Sequence, residues 1–211
     1  MVRKIKYSVI IAYYKSCEED EEKLLTLLNT LVYQEYEDFE TLVVHDGIID
    51  TPEWIKDYKD INIRFLCTDV RHNKYGHPSR NLGINESKGR FLLITNHDNL
   101  YYPDLFKNID EVMVEEAIGY YIFRVRMVGM RYADGKIGYD EPRKTDVSIV
   151  IDGLPIEIGN IDIMQAVISK KQWDSFGGWG SIAIDSDGQI LRKMSKNYKF
   201  KHHKHILGEH Y

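Results

Sequence analysis

The chain has 211 residues, 43% of them hydrophobic and 29% charged, with 5 prolines; this excludes a disordered or low-complexity protein and is long enough to bury a core without staples. A net charge of −5 argues against nucleic acid as a partner, because duplex binding rests on neutralising phosphates with Lys and Arg. The only cysteines, Cys17 and Cys67, exclude a disulfide framework, and no apolar run reaches the about 18 residues that a membrane span needs. The basic start is followed by only Val9 to Ala12 as an apolar stretch, too short for a signal peptide, so a soluble cytoplasmic protein is expected.

Tyr7 to Ala12 is an apolar, β-branched run suited to a buried strand. An acidic turn, Glu18 to Glu22, then precedes Leu24, Leu25, Leu28, Leu31 and Val32 at helical spacing. Phe39 to Val44 and Ile61 to Leu66 predict the second and third strands. Pro78 opens a helix running to about Ser87, and Phe91 to Thr95 predicts a fourth strand. Strands separated by helices are βαβ units, hence a mostly parallel central sheet flanked by helices. After Pro103 the rhythm changes. Leu105 to Glu116 predicts a helix, Gly119 to Val128 a long strand, Ala133 to Asp152 a loop with a short strand at Val147 to Ile151, and Ser186 to Lys196 a last helix. Arg192 to Lys204, dense in Lys and His, reads as a solvated terminal face. No linker or repeat interrupts the chain, so one α/β domain over residues 1–211 is expected.

Ligands of open α/β sheets bind outside the carboxyl ends of the strands. Those ends carry Ala12-Tyr13-Tyr14-Lys15, His45-Asp46-Gly47 and Asn96-His97-Asp98-Asn99. Aromatic rings there can stack on a base, and a carboxylate can accept from a ring N–H or hold a metal. Neither GxGxxG nor GxxxxGK[ST] occurs, which disfavours a dinucleotide site or a P-loop NTPase. Each residue also has a plainer reading. Asp46 before Gly47 suits a turn, Asp98 a cap, Arg80 a surface ion pair, Tyr14 the core, and His45 and His97 structural hydrogen bonds. Asp185 and Asp187 suit the start of the last helix, and Trp179 is either a core anchor or a platform for an acceptor sugar.

Five segments occur in a familiar order. They are Val9-Ile10-Ile11-Ala12-Tyr13-Tyr14; Leu31 to Tyr36 with Asp38-Phe39-Glu40; Val43-Val44-His45-Asp46-Gly47 with Asp50; Pro78-Ser79-Arg80-Asn81-Leu82-Gly83-Ile84; and Ser87 to Leu92 with Asn96-His97-Asp98-Asn99 and Pro103-Asp104. Together they resemble the opening of family 2 glycosyltransferases over about residues 7–105. Size and tyrosine-rich style are also similar to the N-terminal glycosyltransferase domain of a large algal-virus protein, whose cytoplasm would be the host's. The resemblance implies a GT-A fold with a nucleotide-sugar-binding half at about 1–105 and an acceptor-binding half at about 106–211. It implies an inverting, metal-dependent transferase that moves a hexose or deoxyhexose from a UDP-sugar to a glycan or glycoprotein. Asp46 matches the acid that receives the uracil N3–H, with Gly47 beside it; Tyr14 matches the aromatic next to the base, and Ala12 offers backbone only. Arg80 matches the basic residue under the nucleotide, and Asp98 the carboxylate that ligates Mn2+ (or Mg2+) between the phosphates.

The chain departs from the family pattern in three places. His45 and Asn96 replace acids, and Ile48 replaces a serine. With one carboxylate left, diphosphate oxygens, waters, His97 or a histidine of the His202-His203-Lys204-His205 tail would complete the metal's shell. Phe176-Gly177-Gly178-Trp179, Ile184-Asp185-Ser186-Asp187 and Leu191-Arg192 resemble the family's acceptor-side stretch, which names Asp185 as the general base and Asp187 second, the usual acid falling nearest Ser186. Two other functions stay open: a non-catalytic sugar-nucleotide or glycan-binding module, and a sugar-1-phosphate nucleotidyltransferase. The latter needs a Gly-rich loop after the first strand, where this chain has Ala12-Tyr13-Tyr14-Lys15.

Overall fold

The first apolar run lacks polar alternation because it lies in the middle of a sheet covered on both faces. In the computed structural model, β1 (Tyr7–Tyr13) is buried at every position. Described are residues 5–113, 118–133, 136–139, 146–179 and 186–211. β1 pairs in parallel with β2 (Phe39–His45) and with β4 (Phe91–Asn96), and β3 (Ile63–Cys67) lies parallel outside β2. Between them run α1 (Glu18–Val32), a 3-10 segment (Glu53–Ile61) and α2 (His77–Glu86).

The second half is built differently. β5 (Leu100–Tyr101) and α3 (Leu105–Val112) lead to β6 (Tyr120–Val128). A hairpin of β7 (Met130–Ala133) and β8 (Lys136–Tyr139) follows, and β9 (Ser148–Ile151) returns antiparallel to β6. A short 3-10 turn (Ile163–Gln165) feeds β10 (Ala166–Ser169), which is antiparallel to both β4 and β6. Then come α4 (Lys170–Phe176), α5 (Ser186–Asn197) and β11 (Phe200–His210). The sheet order is β3-β2-β1-β4-β10-β6-β11-β5, with β9 on β6. The mostly parallel expectation therefore describes the first half; β10 reverses the chain and leaves the second half mixed.

The tail expected as a solvated face is corrected. Residues 200–210 form β11, parallel to β6 and antiparallel to β5, with Leu207 buried. Its direction matters, because it carries the chain's last residues to the same end of the sheet as the carboxyl ends of β1, β2 and β4.

Two cores flank the sheet. α1 and α3 cover one face, where Leu24, Leu27, Leu28 and Leu31 join Val9, Ile11, Val43 and Phe106; each such burial contributes about 1.5–3 kcal/mol of transfer free energy. α2, α4 and α5 cover the other, where Ile84, Trp173, Leu191 and Met194 meet Ile10, Val44 and Ile122. α2 lies close to the sheet because Gly83 has no side chain: a Cβ there would stand 2.6 Å from Ile10 Cγ2 and 3.0 Å from Val44 Cγ2. Among the described residues no helix is long and apolar enough to cross a membrane.

A candidate donor site at the carboxyl ends of the strands

A cleft of about 640 Å3 opens where β1, β2 and β4 end. It gathers Ala12, Tyr14, Asp46, Arg80, Asn96, His97 and Asp98 from the first half, and Asp187, His210 and Tyr211 from the second. The structure thus brings Ala12, Tyr14, Asp46, Arg80, Asn96, His97 and Asp98 to one cleft, whose lining does not include Gly47.

At one end lies an aromatic and cationic stack. The Tyr14 ring lies 5.5 Å from the His45 ring at 28°, and the Arg71 guanidinium sits 4.0 Å from the Tyr14 centroid. His45 is a tie. Its Nε2 accepts from the Lys15 N–H (3.2 Å), so its Nδ1–H is the one that donates to the Gly47 carbonyl (2.8 Å). Asp46 is buried and organises the neighbouring loop, accepting from the backbone N–H groups of His72 (2.9 Å) and Asn73 (2.8 Å). The next residue adopts φ +102°, a conformation that favours Gly47.

In the middle sits Arg80, only 3% exposed. Its Nη1 donates to Asp187 (3.1 Å) and its Nη2 to Asn96 Oδ1 (2.8 Å), with the guanidinium 5.3 Å from the Trp179 ring centroid. Residue 96 therefore serves Arg80 as a neutral acceptor, and Asp187 provides the countercharge. Burial pushes the Asp187 carboxyl above its ordinary range and Asp162 adds to this, while Arg80 opposes both. His97 turns its Nε2 toward Asp20 (3.5 Å) and its ring edge toward Tyr13.

The far side comes from residues that sequence reasoning missed. His210 Nε2 lies 3.3 Å from Asp162 Oδ2, and His210 Nδ1 is buried with no hydrogen-bond partner among the described residues. Burial alone would lower the His210 pKa, but Asp162, Asp98 and Asp187 outweigh it and raise it. Burial would likewise raise Asp162, yet His210, the Met164 N–H and Arg80 hold it below the ordinary carboxylate value. Asp98 faces the same cleft as His210. An orphaned imidazole nitrogen beside a carboxylate fits a divalent cation whose other ligands are phosphate oxygens and water. No cluster of three His, Cys, Asp or Glu able to hold a metal is assembled among the described residues.

Two of the tail histidines look elsewhere: His202 Nε2 contacts the Asp152 carbonyl at 3.0 Å, and His203 stacks on Tyr121 and Phe123; the histidine of β11 that lines the cleft is His210. Trp179, read either as a core anchor or as an acceptor-side platform, is only 7% exposed, packed on Trp173 and stacked on His77; α2 holds its segment in through Asn81, whose amide donates to the Trp179 carbonyl at 3.3 Å. Its apolar bulk makes it the core anchor. Asp185 lies outside the described residues.

The sequence model of Glycosyl transferase family 2 matches residues 8–167, most of the chain. The chain belongs to that family. Curated relatives include the glycosyltransferase GlyA of Streptococcus pneumoniae, 28% identical over 132 residues that cover 60% of this chain and 18% of GlyA. A second is the teichoic acid poly(glycerol phosphate) polymerase of Staphylococcus epidermidis, 29% identical over 117 residues, or 50% of this chain and 15% of the polymerase. The chain thus spans less than a fifth of either relative. Among solved structures, residues 1–349 of TarS from S. aureus, in complex with UDP-GlcNAc, align with TM-score 0.73 and 16% identity, covering 98% of this chain and 58% of that one. The mannosyltransferase PcManGT of Pyrobaculum calidifontis, in complex with GDP-Man and Mn2+, aligns with TM-score 0.67 and 14% identity, covering 99% and 57%. Likeness at that identity establishes the GT-A fold.

Proposed function

We propose that this family 2 domain is an inverting, metal-dependent glycosyltransferase that moves a hexose or deoxyhexose from a UDP-sugar to a glycan or glycoprotein. The observation that carries this reading is the meeting in one cleft of a base-sized aromatic stack, the buried Arg80, Asp98 and the unpartnered His210 Nδ1. The UDP-GlcNAc complex of TarS and the GDP-Man and Mn2+ complex of PcManGT are the neighbours that support it. On this reading the donor half is about residues 1–105 and the acceptor half about 106–211, the latter lending Asp187 and His210 to the donor cleft. We place the domain in the cytoplasm, where its two free thiols would stay reduced.

The base stacks against Tyr14 and Arg71, in the loop that Asp46 shapes; a stacked base contributes about 1–3 kcal/mol. Arg80 lies under the diphosphate with its guanidinium already oriented by Asp187 and Asn96, so little of its freedom is lost on binding. Asp98 and His210 are the residues that would hold Mn2+ or Mg2+, which when bound supplies Lewis-acid stabilisation of the departing diphosphate. Inversion needs a carboxylate to take the acceptor hydroxyl's proton on the face opposite the leaving group. Asp187 is engaged with Arg80, so Asp185 is assigned as the base and Asp187 stays second.

Calorimetric titration of UDP with and without Mn2+, against GDP and CMP, tests the reading. Metal-dependent, uridine-selective binding that Asp98→Ala abolishes is expected, followed by UDP release from a turned-over donor. Binding to no nucleotide would overturn the donor site. Protection of the donor with no UDP release would leave a binding module, the reading encouraged by Asn96 in place of an acid.

A further inference from the structure

Asp162 belongs to no segment that resembles the family's motifs, yet it is the residue that touches His210. Its position is set locally. The 3-10 turn Ile163–Gln165 begins with a capping box, in which Asp162 Oδ1 accepts from the Met164 N–H (2.8 Å) and Gln165 Oε1 accepts from the Asp162 N–H (3.0 Å). Gln165 is itself fully buried, its amide donating to the carbonyls of Phe123 (2.9 Å) and Ile151 (3.3 Å). The turn is therefore bolted to β6 and β9, and the Asp162 carboxylate has one oxygen tied to its own helix. The other oxygen, Oδ2, faces His210 Nε2 at 3.3 Å.

A carboxylate accepts and does not donate, so the nitrogen that faces it carries the proton. In neutral His210 that leaves Nδ1 as the bare nitrogen, and Nδ1 is the atom without a partner, on a ring that lines the cleft beside Asp98. We propose that Asp162 is a positioning residue that fixes His210 in the Nε2–H tautomer and holds its Nδ1 lone pair toward the cation site. This rests on the metal-dependent reading above. The arrangement needs both ends of the chain's second half: the capping box fixes the carboxylate, and β11 delivers the imidazole.

Asp162→Asn separates this role from mere packing. Asn is as good an N-cap as Asp, so its oxygen keeps the Met164 bond. Its NH2 group then faces His210 Nε2 and donates, which drives the ring proton to Nδ1, the nitrogen the cation needs. Asp162→Ser keeps a capping oxygen but cannot reach His210, and frees the ring to populate both tautomers.

Long-range 1H–15N imidazole spectra of the metal-free chain, in alkaline solution where all 8 histidines are neutral, read the tautomer, with His210→Gln identifying the peak. Mn2+ affinity in saturating UDP is read by calorimetry. Expected are Nε2–H in the native chain, Nδ1–H in Asp162→Asn and a mixture in Asp162→Ser. Mn2+ affinity should fall about 10–100-fold in Asp162→Asn, the usual loss when an outer partner of a ligand is removed. A native Nδ1–H tautomer, or an Asp162→Asn chain with native tautomer and native affinity, would overturn the proposal. If Asp162→Asn does not fold, unchanged affinity and tautomer in Asp162→Ser would overturn it instead. Failure of the metal reading looks different: Mn2+ would leave the native His210 resonances unbroadened although the tautomers followed Asp162, and the inference would fall with it.

Discussion

Replacing Arg80 by Met removes the central cation of the cleft while roughly keeping its volume. The structure sets the size of the effect. Arg80 donates to Asp187 and Asn96 and lies over Trp179, with its side chain 4% exposed and that of Asp187 19% exposed. Breaking a buried pair from one side costs about 3–5 kcal/mol, because the remaining charge is stranded. Against this, the Arg80 Nε–H has no partner among the described residues, and losing that orphan returns about 1 kcal/mol. The net loss is about 3 kcal/mol of a stability that for such a domain is about 5–15 kcal/mol. With a urea slope of about 2–3 kcal/mol/M, the unfolding midpoint should fall by about 1–1.5 M. The double variant Arg80→Met, Asp187→Asn should lose at least about 1 kcal/mol less than the sum of the singles, since neither charge is then stranded. The pH dependence has a definite sign. Without Arg80 the Asp187 carboxyl rises further above its unfolded value, so the folded variant binds more protons than the unfolded one and its deficit shrinks on acidification. Strict additivity, a loss below about 1 kcal/mol, or a deficit independent of pH would refute the stranded-charge argument.

Three further outcomes are expected. Gly83→Ala should cost about 2 kcal/mol, because its Cβ would meet Ile10 and Val44 at 2.6 and 3.0 Å; calorimetry should show Tm lowered by roughly 4–8 °C. Burial would raise Asp20, but the Ser16 hydroxyl and the Ser16 and Cys17 N–H groups hold its pKa well below the ordinary value. Its stabilisation is thus present above about pH 4 and lost as the pH falls through the folded value, so urea midpoints of Asp20→Asn and the native chain should converge in acid. Asp185→Asn should lower transfer with little loss of UDP-sugar affinity, as for a base acting in the transition state; if only Asp187→Asn does so in steady-state assays, the base lies two residues on.

The fold's first half was legible because its strands are continuous apolar runs and α1 repeats at helical spacing. The second half was less so. β10 is four residues long, too short for periodicity, and its direction follows from pairing with β4 and β6. β11 was hidden by its composition: from Phe200 to Ile206 its residues are half-buried or exposed, so Lys and His are tolerated where an apolar pattern would have announced a strand. The site divides likewise. Tyr14, Asp46 and Asp98 could be singled out because strand ends are predictable places, and Arg80, inside α2, only because its segment resembles a family motif, while the pairing of Asp162 with His210 depends on where β11 runs. The box Asp162-Ile163-Met164-Gln165 is a readable capping signature, but it announces a turn and nothing of what the free oxygen will touch.

The two missing acids follow from what their neighbours require. At position 45 the side chain accepts from the Lys15 N–H and donates to the Gly47 carbonyl. A carboxylate can do the first and not the second, so a neutral imidazole is the better tie between the loop after β1 and the turn after β2. At position 96 the side chain accepts from Arg80, whose charge Asp187 already balances; a second carboxylate would add to Asp98 and Asp187 in the cleft and to Asp162 behind His210, against only Arg80 and His210. A worn-out site would leave such substitutions unpartnered. Here each replacement has its hydrogen bonds, and the electrostatic balance is kept by residues from the other half of the chain. That compensation supports the proposed donor site over a vestige, and on that proposal the weight of the chemistry falls on Asp98, His210 and Arg80 rather than on a pair of acids at the end of β4.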